Sequence, residues 1–221
     1  MASELVIGSG ARDLYRGIDG VYFTASNPTP GTGIIGHAAP TTFDSTKPYL
    51  YLWNNGPNWV CPMYLRLTLT VASVGNTIMR FTTAVDPGTP TTGKYSSGGT
   101  ALTPQNTRSD SNKGSNATIY VGAVVVTTAT TPRRVLFNQT YRTVLGVVGD
   151  VYQMNFASHE MMDPASLITT GTAVSNVAFG HAPVVVAPGH SFLVHQWAAS
   201  QSTGPTFEVE FAYLEFPVVA Q

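Results

Sequence analysis

The chain of 221 residues is 43% hydrophobic but only 10% charged, and its formal net charge is −1. A soluble domain is normally about one quarter charged, so this surface must consist of uncharged polar residues and Gly, or be covered by other chains. Without a basic field, no nucleic-acid partner is expected. Apolar runs such as Val121–Val126 fall far short of the ~20 residues of a membrane helix, so no membrane partner is expected either.

The number of cysteines and the N-terminal residues indicate the cellular compartment in which the protein is made. Cys61 is the one cysteine, which excludes an intramolecular disulfide scaffold. Residues Met1–Gly17 lack the basic-then-apolar layout of a signal peptide. We therefore expect the protein to be made in a cytoplasm and to stay soluble.

The predicted elements are almost all strands. The chain contains 21 Gly and 15 Pro, which mark turns, among many Thr, Val, Tyr and Phe, which favour strands. The helix candidate Glu160–Ile168 is limited to a short turn by Pro164. Period-two alternation and turn signals predict strands, in chain order, at Gly20–Thr24, Tyr49–Trp53, Met63–Ala72, Thr77–Ala84, Thr118–Thr127, Arg134–Phe137, Arg142–Val148, Val151–Ala157, Pro183–Val186, Ser191–Ala199 and Thr206–Phe216.

Turn signals separate these strands. We predict a turn at Asn138, a hairpin tip at Gly149–Asp150, and a connection of hairpin length at Ser200–Pro205 between the last two strands. Eight to ten strands with regular turns suit a sandwich or jelly roll. The predicted fold class is an all-β, antiparallel jelly-roll sandwich.

Two segments stand apart from this pattern. Asp86–Asn116 has hardly any core-forming residue, and a loop of that length is usually functional or disordered. It is expected to be either a mobile surface insertion or a segment that lies on a neighbouring subunit. We therefore divide the single domain into residues 1–47, an extended N-terminal arm with the first strand, and residues 48–221, the jelly-roll body with a long polar loop at 86–116.

The histidines and the cysteine do not form a recognisable catalytic motif. Three of the five histidines lie near the C-terminal strands, but His190 and His195 are an odd number of residues apart. On an unbroken strand they would face opposite sides, unlike the converging imidazoles of a cupin metal site. We expect turn or interface histidines. Cys61 has no neighbour that would activate it and is expected to be a buried structural thiol.

The paired glutamates of the last strand, Glu208 and Glu210, are the remaining catalytic candidate. Their Cα atoms should lie about 6.5–7 Å apart on one face, near the spacing that glycosidases use. The opposite face carries Phe207, Val209, Phe211 and Tyr213, which is typical of a strand with one solvated side.

We therefore expect the glutamates to face water, a neighbouring subunit or a cross-strand partner such as Arg66. The alternation slips after Tyr213, where Glu215 falls on the apolar side. A bulge or the end of the sheet pairing would explain this slip. No catalytic, cofactor-binding or metal-binding residue is predicted, and no cofactor.

The order of several segments resembles a known family. PYLYLWNNG, YLRLTLTVASVGNT, GKYSSGGTALTPQNTRSDS, ATIYVGAVVVTTATTPRRVL and PVVVAPGHSFLVHQWAASQSTGPTFEVEFAYLE occur in this order between about Gly20 and Glu215. The chain thereby resembles the jelly-roll decoration, or cement, proteins of tailed bacteriophages. The resemblance implies no active site. It implies a frequently trimeric jelly roll whose loops and N-terminal segment contact the major capsid protein on the outside of the head.

The expected function is therefore structural rather than enzymatic. The protein would assemble as a homotrimer and would decorate and stabilise the capsid exterior by bridging major capsid protein subunits, with Met1–Lys47 and Asp86–Asn116 as interfaces. The alternative is a receptor-binding or tail-fibre jelly roll that recognises host carbohydrate, with Trp53, Trp59 and Trp197 as a sugar platform. A third class, a cupin-like enzyme, is disfavoured by the histidine spacing.

Overall fold

The computed structural model describes residues 19–38, 43–75, 78–86, 94–127, 134–143, 145–156 and 176–217. These residues contain no helix, so the predicted all-β class is confirmed. The helix candidate Glu160–Ile168 and the residues before Asp19 lie outside the described ranges. No described helix could span a membrane.

The strands form two large sheets and one small one. Sheet A contains, in spatial order, β12 (Asn176–Gly180), β11 (Val151–Asn155), β4 (Trp59–Val71), β15 (Thr206–Phe216), β1 (Tyr22–Ser26) and β8 (Gln105–Asn106), with β2 (Ile34–Ile35) also paired to β15. Sheet B contains, in spatial order, β10 (Arg134–Arg142), β6 (Met79–Asp86), β13 (Ser191–Trp197), β3 (Leu50–Asn54), β9 (Ala117–Val126) and β7 (Tyr95–Leu102). The small sheet pairs β5 (Val74–Gly75) with β14 (Gln201–Thr203).

The core lies between sheets A and B. Phe81 of β6 and Phe207 of β15 approach to 6.4 Å between ring centroids, and Phe192 of β13 and Phe211 of β15 do the same. All four rings are fully buried. Each comes from the inward-facing side of its strand, so two antiparallel sheets pack face to face through aromatic side chains, consistent with a β-sandwich. The pairing of β11 with β12 is parallel.

The strands with strict alternation were predicted best. Leu65, Leu67 and Leu69 of β4 are fully buried, as their spacing predicts. On β15, the inward positions Phe207, Val209, Phe211 and Tyr213 are buried, and the strand has the predicted bounds. Apolar residues at every second position thus located the inner faces of sheet A.

Several connections were predicted wrongly. Asn138 does not mark a turn: it lies inside β10 and pairs with Thr82 of β6. Gly149–Asp150 and Ser200–Pro205 do not close hairpins, because the strands on either side of each belong to different sheets. Pro183–Val186 contributes one isolated bridge, between Val186 and Val60, instead of a strand. Turn residues show where the chain bends, but they do not show whether the next strand pairs with the last.

The segment predicted as a long loop, Asp86–Asn116, contains strands. Within it, β7 pairs with β9 at the edge of sheet B, and β8 pairs with β1 in sheet A. The prediction failed because β7 is almost free of apolar residues: most of its residues are exposed, and Leu102 is the buried one. Backbone pairing with β9 and the stacking of Tyr95 on Tyr120 of β9, with the ring centroids 4.0 Å apart, hold this strand in the sheet. In the N-terminal region, β1 and β2 both pair with β15.

Candidate functional site: the polar outer face of sheet A

The outer face of sheet A is built from polar residues of neighbouring strands in register. Glu210 of β15 lies opposite Arg66 of β4 on one side and Ser26 of β1 on the other. Arg66 in turn lies opposite Gln153 of β11. Residues that lie opposite each other across a ladder share a face, so these four side chains form one polar row across four strands.

Glu210 is held in place by two partners. The Tyr64 hydroxyl donates a hydrogen bond to Oε1, and Nη1 of Arg66 lies 3.7 Å from Oε2. The predicted cross-strand pairing of Arg66 with this glutamate is therefore confirmed. Burial, together with the carboxylate of Glu210, raises the pKa of Tyr64 well above its ordinary value, so this phenol stays protonated and remains a donor.

Beside this pair, the same face opens into a cleft of about 420 Å³. The residues that supply its hydroxyl and charged groups, which together we call the polar cleft, are Thr24, Ser26, Arg66, Thr68, Glu208 and Glu210. The cleft is an open depression and not a closed pocket, with about half of the Arg66 side chain exposed. The two glutamates therefore do not converge in an enclosed catalytic site.

One wall of the polar cleft is fixed by Asn27. Its side-chain oxygen accepts a hydrogen bond of 2.6 Å from the Val209 N–H, and its amide group donates to the Thr32 carbonyl. The side chain thus ties the turn after β1 to the central strand β15. The position of this wall is set by hydrogen bonds to the sheet, so the cleft is largely pre-formed.

A second carboxylate site lies further along β15 and was not recognised from sequence. Glu215 is fully buried, and its Oε1 accepts hydrogen bonds from the Ser115 hydroxyl and the Asn116 N–H. The Ser115 hydroxyl also lies 2.6 Å from the Tyr213 hydroxyl. Glu215 therefore ties the segment before β9 to the end of β15. The long-range partners Ser115 and Asn116 give no signal in the local sequence.

The predicted slip near Tyr213 coincides with a bulge. The register of β15 on β4 shifts between Ala212, which lies opposite Tyr64, and Tyr213, which lies opposite Pro62, so Met63 of β4 is the extra residue. Proline has no N–H to donate to the ladder, and prolines inside sheets concentrate at edges and bulges. β15 nevertheless continues to Phe216, and Glu215 stays on the inner side with Tyr213. The strand pairing thus continues past the bulge, whose extra residue lies in β4 and leaves Glu215 on the same side of β15 as Tyr213.

The described histidines have separate partners. His37 donates from Nε2 to the Val124 carbonyl at 2.6 Å, and His190 donates from Nδ1 to the Pro188 carbonyl at 2.9 Å. His181 stacks on Phe137 with the ring centroids 3.6 Å apart. His195, expected in a turn or at an interface, is instead buried within β13. In the described part of the chain, no three His, Cys, Asp or Glu side chains group as metal ligands.

The cysteine and the tryptophans are dispersed. Cys61, expected to be buried, is half-buried in β4. Trp59 begins β4 in sheet A, whereas Trp53 and Trp197 belong to β3 and β13 of sheet B. Trp197 donates to the Thr82 hydroxyl and lies under the Arg80 guanidinium. Trp53 lies opposite Ser191 at the start of β13, whereas Trp197 ends β13, so these two indoles do not share one sugar platform.

Chemically, the outer face of sheet A offers recognition groups. It presents an oriented carboxylate–guanidinium pair, a second carboxylate two residues away, and hydroxyl groups on adjacent strands. Comparison of the chain with protein-family models, with curated proteins and with solved structures finds no match.

Proposed function

We propose that the protein is a jelly-roll virion protein that decorates and stabilises the exterior of a bacteriophage capsid by bridging major capsid protein subunits, and that it assembles as a homotrimer. The strand order carries this proposal. Jelly rolls, which consist of eight strands in two sheets, are common in viral capsid proteins.

The nested pairing of eight strands supports the proposed jelly roll. The first pairs with the eighth (β1 with β15), and the second with the seventh (β3 with β13). The third pairs with the sixth (β4 with β11), and the fourth with the fifth (β6 with β10). Two further pairings, β15 with β4 and β13 with β6, join these into one four-stranded set per sheet. β7 and β9 lie between the fourth and fifth strands in sequence and extend sheet B.

The surface also supports a role in a close-packed shell. Only 10% of the residues are charged, so little charge must be desolvated when the surface is covered by other chains. Decoration proteins work through interface area, and repeated copies on a lattice bind multivalently. The segment Asp86–Asn116, which extends both sheets, remains our proposed contact with neighbouring capsid subunits, together with Met1–Lys47.

An apolar surface near the start of β15 is a further proposed contact. Ile35 and Val71 lie on either side of Thr206, and the Gly149 N–H bonds to the Leu69 carbonyl, which brings the 145–149 turn beside β4. Exposed apolar patches often mark interaction sites. The exposed large apolar side chains of these segments and of β5, which follows β4, are together called the apolar end patch: Ile35, Val71, Val74, Leu145 and Val148.

The test is reconstitution on capsids assembled without the protein. We expect saturable, stoichiometric binding, a rise in the capsid melting temperature, and density on the outer surface of the head by electron microscopy. Val148→Asp should weaken binding about tenfold or more, since a charge would be desolvated in the contact. Val185→Asp is the matched control, because Val185 is similarly exposed but outside the apolar end patch. Density on the tail, or no binding to capsids, would contradict the proposal.

A further inference from the structure

The polar cleft on sheet A contains hydrogen-bonding groups that no residue in the described part of the chain engages. The side chains of Thr24, Ser26, Thr68 and Glu208 make no hydrogen bond or ion pair with any described residue. On the same face, by contrast, Tyr64 and Arg66 are engaged with Glu210. The unused groups therefore lie together on three adjacent strands, β1, β15 and β4, next to a carboxylate that is already oriented.

The arrangement of donors and acceptors limits the class of ligand that the polar cleft could bind. Glu208 is an acceptor only, Arg66 is a donor only, and the three hydroxyl groups can act in either sense. Glu208 lies opposite Thr68, and Glu210 lies opposite Arg66. Each carboxylate acceptor on β15 therefore has a group that can donate a hydrogen bond beside it on β4. A ligand that carries several hydroxyl groups, each able both to donate and to accept, can satisfy all of these groups at once.

The charge of the polar cleft limits the class of ligand further. Two carboxylates face one guanidinium, which leaves an excess of one negative charge. Like charges brought together at a site cost binding free energy, so sialic acids, uronic acids and phosphorylated sugars are disfavoured. The volume, about 420 Å³, is within the ~300–1,000 Å³ range of ligand pockets.

We infer that the polar cleft binds a neutral saccharide, with Glu208, Arg66 and Thr68 as its main hydrogen-bonding residues. Glu208 accepts from a pair of sugar hydroxyls, and Arg66 donates to a neighbouring one while it holds Glu210. Thr24 and Ser26 complete the contact from β1. This inference stands on the cleft alone and does not depend on the proposed role in a capsid.

The test is a titration of the purified chain, followed by NMR chemical shifts, with the neutral trisaccharides maltotriose, laminaritriose and chitotriose. Trigalacturonate serves as the acidic probe and calcium chloride as the cation probe. We expect saturable binding of at least one neutral saccharide, shifts centred on β15 and β4, and no saturation with trigalacturonate. Glu208→Ala should weaken binding about tenfold or more, since hydrogen bonds to charged groups are the stronger ones.

Two further variants make the result decisive. Thr68→Val removes one hydroxyl with little change in shape and should weaken binding severalfold. Asp110→Ala is the control, because Asp110 is an exposed carboxylate outside the cleft, and it should leave the affinity unchanged. The inference fails if no neutral saccharide saturates the cleft, if Glu208→Ala and Thr68→Val bind like wild type, or if calcium alone produces the Glu208-dependent shifts.

Discussion

The middle and the end of β15 place the same chemical group in opposite environments. Glu210, in the middle, lies on the outer face with 44% of its side chain exposed and an arginine 3.7 Å away. Glu215, five residues on, is fully buried and bonded to Ser115 and Asn116. In the middle the carboxylates are available to a ligand, whereas at the end the carboxylate holds two parts of the chain together.

This difference shows that proximity along a strand says little about the role of an acidic residue. Glu208 and Glu210 look like a catalytic pair in sequence, yet they line an open cleft. Glu215 looks like an irregularity, yet it joins β15 to the segment before β9. The role follows from the face of the sheet and from long-range partners. The contrast is tested by the first and the last of three measurements, which are given in order of expected effect, and the second measurement concerns a partly buried basic group, His181.

The largest loss of stability is expected from a substitution of Glu215, at the buried end of β15. Glu215→Ala removes the acceptor of the Asn116 N–H and one of the partners of the Ser115 hydroxyl, and a hydrogen bond to a charged group contributes about 1.5–3 kcal/mol. We expect the free energy of unfolding, measured by denaturant titration, to fall by about 2–4 kcal/mol. Glu208→Ala is the matched control and should change it by less than about 0.5 kcal/mol. Equal losses in the two variants would show that the contrast has no energetic basis.

A smaller change in stability is expected from the protonation of His181, a basic side chain that is partly buried. Burial lowers the pKa of His181 from 6.5 to about 4. Between these values the unfolded chain binds the proton and the folded chain does not, so stability falls as the pH is lowered from 6.5 towards 4. After allowance for the partial exposure of the ring, the loss should be about 1–2 kcal/mol.

The matched variant for this prediction is His181→Phe, which retains an aromatic ring against Phe137 but cannot titrate. The difference in unfolding free energy between pH 7 and pH 4.5 should be smaller in this variant than in the wild type. If both proteins lose the same stability, the burial of His181 does not contribute to the acid sensitivity.

The smallest contribution to stability is expected from the ion pair at the exposed middle of β15. Arg66 and Glu210 are both about half exposed, and surface ion pairs contribute about 0–1 kcal/mol. A double-mutant cycle with Arg66→Ala and Glu210→Gln should give a coupling free energy below about 0.5 kcal/mol at 0.15 M salt. The coupling should disappear at 1 M salt, where charges are screened over about 3 Å. A coupling above about 2 kcal/mol would place this pair in the same class as the buried site.

The sequence predicted side-chain faces better than it predicted connections. The leucines of β4 and the aromatic residues of β15 repeat every second position, so their inner faces and the pairing of Arg66 with Glu210 could be inferred. β7 could not, because its residues are mostly exposed and it is held on β9 by backbone pairing and by the single aromatic stack of Tyr95 on Tyr120. Asn138 shows the reverse error: a residue typical of turns lies inside β10 and bonds to Thr82.

The polar cleft and the Glu215 site also differ in how far they could be predicted from the sequence. The polar cleft was partly visible, because Glu208, Glu210 and Arg66 occur on strands with clear alternation. Its contribution from β1, Thr24 and Ser26, depends on which strand lies beside β15, and alternation within one strand contains no such information. The burial of Glu215 depends on Ser115, about one hundred residues earlier, and was likewise beyond a local pattern.

The position of β15 also has a consequence for how the chain folds. β15 is last in sequence but central in sheet A, between β4 and β1. During synthesis, β1 and β4 emerge from the ribosome long before the strand that joins them. Until then each presents unpaired N–H and C=O groups, the condition that favours aggregation and slow, non-local folding. A chain shortened before Thr206 would keep most of its residues and still leave sheet A in two separate parts.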